Sequence, residues 1–150
     1  MCGMKYDMGG SAGLFGSFCS IASLGGLDEG RPLYCLMCLA ENAVDMIAYR
    51  QDDILQMYSG LSVEINNTDA EGRIVLADGV AHVAKHLNDE VDTCFTMATL
   101  TGAQGVATGN LHASLVVSDE DLENEVEALG KKSGDSAHAL LFAPEALLHE

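Results

Sequence analysis

Tryptophan is absent from the 150 residues, proline occurs twice, and seven Lys or Arg stand against 23 Asp or Glu, a formal net charge of −16. So few cations argue against a nucleic-acid backbone or an anionic membrane as partner, and favour a cation or a metal ion. Long apolar runs are missing too: none reaches the roughly 18–20 residues that span a bilayer, and no charged-then-apolar leader is read at the start. Five cysteines, an odd number scattered among apolar residues, do not lay out a disulfide framework. That usage fits a reducing, cytoplasmic setting. A chain of this length can form one ordinary domain, burying roughly 68–70% of its unfolded surface if compact.

Charge and pattern converge at Asn66-Asn67-Thr68-Asp69-Ala70-Glu71-Gly72-Arg73. Leu76, Val80, Val83, Ala84 and Leu87 follow at three- and four-residue steps, which predicts a helix over 70–87 with one buried stripe. Asp69 and Glu71 then sit beside free backbone N–H groups and the positive dipole end, where anionic groups are favoured. Two readings share that placement. Thr68-x-x-Glu71 fits a capping box, with Glu71 reaching back to the N–H of Thr68. The same carboxylates, with Arg73 beside them, also suit a ligand site at a helix entrance.

Around this stretch, 11–24 reads as a helix of small residues closed by Gly25-Gly26, and 32–40 as a strand buried on both faces. A loop over 41–53 leads to a hairpin, 54–58 and 61–65, turning at Ser59-Gly60. Past the signature helix, 92–99 reads as a second buried strand ending in the Thr99-Leu100-Thr101-Gly102 turn, the kind of strand end where open α/β sheets hold ligands. A strand over 111–117 precedes a helix opened by Ser118-x-x-Asp121, with Leu122, Val126 and Leu129 on one side and a stop near Gly130. This alternation predicts an α/β domain with a largely parallel or mixed central sheet.

Several tempting motifs have plainer readings. Cys35-x-x-Cys38 lies in a predicted strand, where positions three apart face opposite ways, so the sulfurs are read as buried structural thiols. His82 and His86 lack the Glu of the zinc-protease motif, with Val83 in its place, and share a face with Asp78; a solvated polar face is expected. Gly9-Gly10-x-x-Gly13 has no preceding strand and Asp7 would repel phosphate, so those glycines are read as permitting close backbone approach. His112, His138, His149, Ser114 and Ser136 stand at no diagnostic spacing.

The string NTDAEGR at 67–73, followed by VLADG at 75–79, resembles the signature of the leucine aminopeptidase family (cytosol aminopeptidases), two-metal exopeptidases that remove N-terminal residues from peptides. In the same order, 4–12 is similar to the family's MKxDMGGAA segment, 38–42 to its AEN strand end and 97–103 to its ATLTGA segment. The wording EINNTDAEGR and ATLTGAQGVATG is closest to the branch of probable aminopeptidase-like proteins. The resemblance implies a three-layer αβα fold around a mixed, largely parallel sheet. It implies Asp7, Asp69 and Glu71 as ligands of two divalent ions (zinc, manganese or magnesium), with Glu71 bridging both and Asp69 adding its main-chain carbonyl. Arg73 matches the catalytic arginine that holds a bicarbonate ion, a task suited to a permanent charge with a planar donor fork. Met4, Thr99 and Gly102 match the pocket for the substrate's N-terminal side chain, and Leu100 a residue whose backbone serves the reacting centre. Peptides would be the substrates, and the full-length protein a hexamer with no nucleic-acid or membrane partner.

Two departures qualify the match. Asp45-Met46 replaces a Gly-Pro pair in the loop, and the family's first motif, with a ligating lysine, a bridging aspartate and a catalytic lysine, belongs just upstream of Met1. Lys5 falls in the second motif and replaces neither lysine. The expectation is a partial metallo-aminopeptidase catalytic domain over 1–150, truncated at both ends, with a non-catalytic homologue or subunit of the same fold as the alternative.

Overall fold

The glycines divide the first part of the chain into elements. In the computed structural model, which describes residues 2–27, 30–43, 45–141 and 143, a 3₁₀ turn (Met4–Tyr6) leads into helix α1 (Gly9–Ser23). No charged residue lies in α1, and Ser17, Ser20 and Ser23 return their hydroxyls to the carbonyls of Gly13, Gly16 and Cys19. The helix satisfies its own polar groups in this way. Gly25 and Gly26, at φ 104° and 82°, donate to Ala22 and Ile21 and close α1 as a Schellman motif.

The residues fall into two units, Met1–Leu100 and Thr101–Glu150. In the first, Met57 and Ile65 are the buried hydrophobic side chains among the described residues, at 8% and 2% exposure. Both belong to the predicted hairpin, whose strands β1 (Ile54–Gln56) and β2 (Ser62–Glu64) pair antiparallel with Leu55 opposite Val63. Gly60, at φ 96°, donates to Met57 O at 2.8 Å, and Met57 donates to Leu61 O at 2.8 Å, a three-residue turn that needs a left-handed residue in third place. At the far end Ile65 faces two residues, donating to Asp53 O at 2.9 Å and accepting from Asp52 N–H at 2.7 Å. This bulge, with Asp52 at φ 69°, kinks the chain where it enters β1.

Helix α2 (Glu71–His86) follows a second 3₁₀ turn (Thr68–Ala70), close to the predicted 70–87. Its predicted stripe is half-buried rather than sealed, with Val80 44% exposed. Its polar face is bound to the hairpin tip rather than merely solvated. Tyr58 N–H donates to Asp78 Oδ1 at 2.9 Å, the Tyr58 hydroxyl meets His86 Nε2 at 2.8 Å, and Lys85 donates to Tyr58 O.

The predicted strands 32–40 and 92–99 carry no strand pairing among the described residues. Side chains and close backbone approaches hold them instead. Arg31 pairs with Asp92 at 2.5 Å, Tyr34 bonds Glu90, and Cys38 Sγ lies so close to α2 that a Cβ on Gly79 would stand 2.3 Å from it. A Cβ on Gly10 would fall 2.2 Å from Met97 O, so α1 meets 97–98 through a bare backbone, the close approach predicted for this glycine. All five cysteines are free thiols.

The second unit is a βαβ arrangement: β3 (Ala113–Leu115), α4 (Glu120–Ser133) and β4 (Ala137–Ala139), with β3 and β4 parallel and Ser114 opposite His138. A short helix α3 (Ala103–Thr108) precedes it, and Gln104 ties that helix to β3 through His112 O at 2.7 Å and the Ser114 hydroxyl. Asp119, not Ser118, caps α4, accepting from Leu122 N–H at 2.9 Å. Gly130 does not stop the helix; it lies inside, where a Cβ would press to 2.7 Å from Asp135 O on the returning chain. The stop is Gly134, at φ 85°. The reading of an abrupt end at 143–150 falls, save for Ala143, outside the described residues.

Gly10→Ala should lower the urea midpoint by an amount equivalent to about 1–3 kcal/mol, the usual range for overpacking. Gly16→Ala, in the same helix with nothing within 4 Å of its Cβ position, should instead raise stability by about 0.5–1 kcal/mol. In the second unit, Glu127 accepts from Ala139 N–H at 2.9 Å and pairs with Lys131 at 3.3 Å, contacts that lower its pKa below the ordinary 4.5. A lowered carboxylate pKa stabilises the fold fully above the ordinary value, and that stability is lost as pH falls through the folded value. Thermal unfolding of Glu127→Gln should therefore depend less on pH below about 4.5 than that of the natural chain.

Candidate active site

Asn67 builds the signature turn. Its backbone is extended, and its side-chain oxygen accepts from Asp69 N–H at 2.9 Å, so the cap of the 3₁₀ turn is Asn67 and not Thr68. The predicted capping box gives way because an Asn one residue earlier is at least as good a cap as Thr. Thr68 contributes its carbonyl, which accepts from the Tyr49 hydroxyl at 3.0 Å. Asp69 is exposed in the turn, and Glu71, half-buried, is the first residue of α2. The helix N-terminus therefore carries both carboxylates with no side-chain cap on α2 itself.

Tyr49 shows how close those charges are. Its phenol pKa is raised above 10.0, first by partial burial and then by the negative charges of Glu71 and Asp69. Arg73, exposed on the first turn of α2, pairs with neither carboxylate. Among the described residues Arg73 forms no ion pair. Two carboxylates with no cationic side-chain partner among the described residues are oxygen donors of the kind divalent ions take, though by themselves only part of a coordination sphere.

The other predicted residues are distributed as follows. Asp7 ends the first 3₁₀ turn, exposed, and its Oδ1 accepts from the Thr99 hydroxyl at 2.5 Å. Met4 Sδ lies 3.8 Å from the Asn42 amide nitrogen. Leu100 reaches α2, where a Cβ on Gly72 would stand 3.2 Å from Leu100 Cδ1. Gly102, in the second unit, precedes α3 and has open space at its Cβ position. The structure thus joins Asp7 to Thr99, Gly72 to Leu100, and Thr68 to Tyr49. Among the described residues no three His, Cys, Asp or Glu form a group that could hold a metal ion, so Asp7 does not converge with Asp69 and Glu71.

Tyr49 and Tyr58 carried no signal in the sequence. Each acts across a long stretch of chain, on Thr68 and on α2, and no local spacing marks such a contact. Asn67 did carry one, the strong cap preference of Asn.

Residues 1–149 match the model of the cytosol aminopeptidase family, catalytic domain. The mouse protein named probable aminopeptidase NPEPL1 is 49% identical over 145 residues, 97% of this chain and 27% of its own length. Leucine aminopeptidase 1 of Caenorhabditis elegans is 47% identical over 145 residues, 97% and 28% respectively. The solved structure of that nematode's leucine aminopeptidase aligns with a TM-score of 0.82 at 45% identity, over 97% of this chain and 29% of the other. Leucyl aminopeptidase from Trypanosoma brucei in complex with bestatin aligns at 0.79 and 44% identity, over 95% and 27%. The chain spans little more than a quarter of the length of these relatives. Among the described residues no helix is long and apolar enough to cross a membrane.

The difference in ultraviolet titration between the natural chain and Tyr49→Phe should isolate a phenol that ionises above the ordinary tyrosine range. In Glu71→Gln the same phenol should move back toward 10.0, since one of the charges raising it is gone. An unchanged titration would mean that Glu71 does not face Tyr49.

Proposed function

The chain belongs to the cytosol aminopeptidase family, and on that premise we propose that it carries part of the catalytic domain of a metal-dependent aminopeptidase acting on peptide N-termini. The observation that supports this best is the turn at 67–71, which sets Asp69 and Glu71 at the mouth of α2 with their charge not offset by Arg73. Asp69 and Glu71 would hold divalent ions (zinc or manganese, or magnesium); Asp7, a further ligand by family resemblance, forms no three-ligand group with them among the described residues. Such ions, when bound, supply an activated water and a polarised amide carbonyl.

The remaining chemistry belongs to the chain itself. Arg73 would grip bicarbonate through its planar donor fork, keeping a proton acceptor at the reacting centre. Met4 and Thr99 would line the pocket for the N-terminal side chain, a role that the family resemblance also gives Gly102, and the Leu100 backbone would orient the scissile amide. The Thr99 hydroxyl, already bonded to Asp7, would fix the direction of that carboxylate. In the full-length protein we assign the three-layer αβα fold with a mixed sheet, a hexameric assembly and a cytoplasmic location; nucleic acid and membrane are not partners in this reading.

A non-catalytic homologue or subunit of the same fold is the second reading. It is favoured by Asp7, which binds Thr99 and stands outside any three-ligand group among the described residues. Calorimetry with Mn²⁺ and Zn²⁺, with leucine-anilide hydrolysis followed in the same samples, separates the two. The first reading expects saturable binding that is lost in Glu71→Ala. In Arg73→Ala it expects retained binding with turnover reduced by roughly 10²-fold or more, the usual cost of removing an oxyanion donor. Absence of turnover, with or without binding, selects the second reading, and binding that survives Glu71→Ala contradicts the first.

A further inference from the structure

Asp69 N–H and Thr68 C=O belong to one peptide group, and each end of that group has a side-chain partner. The Asn67 side-chain oxygen takes the N–H at 2.9 Å and the Tyr49 hydroxyl donates to the C=O at 3.0 Å. A peptide unit is rigid and planar, so holding both ends fixes its rotation about the chain axis. That rotation sets the direction in which Asp69 leaves the backbone. Asn67 is local to the turn, whereas Tyr49 reaches it from the loop before the hairpin.

We propose that Tyr49 is a positioning residue for the ligand-bearing turn: with Asn67 it clamps the Thr68–Asp69 peptide and thereby aims the Asp69 carboxylate and main chain at the cation. The inference rests on the reading of Asp69 and Glu71 as metal ligands. Several features suit Tyr49 to the role. The ring is half-buried, which limits its motion, and the bond is neutral, so it adds no charge to compete with the cation. The hydroxyl donates to the carbonyl and leaves the carboxylate oxygens of Asp69 to a ligand. Outer partners that orient ligands in this way typically govern affinity by 10–100-fold.

Tyr49→Phe keeps the ring and removes only the donor. On the full 150-residue chain, Mn²⁺ affinity should fall by roughly 10-fold or more by calorimetry. In the metal-free protein, hydrogen exchange at Asp69 N–H should quicken while the urea midpoint stays close to that of the natural chain. If the midpoint falls enough to account for the faster exchange, Tyr49 is merely structural and the proposal is overturned. Unchanged affinity and unchanged exchange at Asp69 overturn it too. Should the natural chain bind no Mn²⁺, the ligand reading fails and the positioning role fails with it, whereas normal binding in Tyr49→Phe removes the positioning role alone.

Discussion

Ile65 is the fixed point of the first unit. At 2% exposure, with both backbone groups committed to the bulge at Asp52 and Asp53, it holds the end of β2 in one place. Burying such a side chain contributes about 1.5–3 kcal/mol, a large share of what a marginally stable fold has in hand. The following residues inherit that position. Asn66 and Asn67 leave a rigid hairpin rather than a free loop, so the cap that Asn67 makes on Asp69 N–H forms at a defined site. The turn is held from the other side as well, because Tyr58 at the hairpin tip bonds Asp78, Lys85 and His86 on α2.

Bare backbone plays the complementary part. Gly10, Gly79 and Gly130 each stand where a side chain would collide with a crossing segment, and together they let helices lie against neighbouring chain without intervening atoms. Such close packing leaves Thr99 within reach of Asp7 and Leu100 within reach of α2. Charge is arranged with the same economy. α4 takes Glu120, Asp121 and Glu123 at its first turn and Lys131 and Lys132 at its last, in agreement with its dipole, whereas α2 keeps Asp69 and Glu71 at its mouth without a cationic partner among the described residues.

Much of this was legible in the sequence, and the exceptions are instructive. Periodicity placed α1, α2, α4 and the hairpin because each is decided by local pattern and turn chemistry. The runs 32–40 and 92–99 read as strands from their apolar character, yet a strand also needs a partner for its backbone, and that information is not local. Gly130 was read as a stop, although its purpose is to admit the chain at 135–137. β4 went unread, since a run as short as Ala137-His138-Ala139 gains its identity from β3. At the candidate site, the string 67–73 drew attention to Asp69 and Glu71 through its family resemblance, whereas Tyr49, which fastens Thr68, could be found only in three dimensions.

The proposed function stands or falls with a cation at the turn over 67–71. Paramagnetic broadening of backbone amide signals by substoichiometric Mn²⁺ tests it most directly, because broadening marks where the ion resides. The account predicts that the amides of Asp69, Ala70 and Glu71 broaden first. Broadening that begins instead at the acidic first turn of α4, or spreads evenly over this strongly acidic chain, would contradict it.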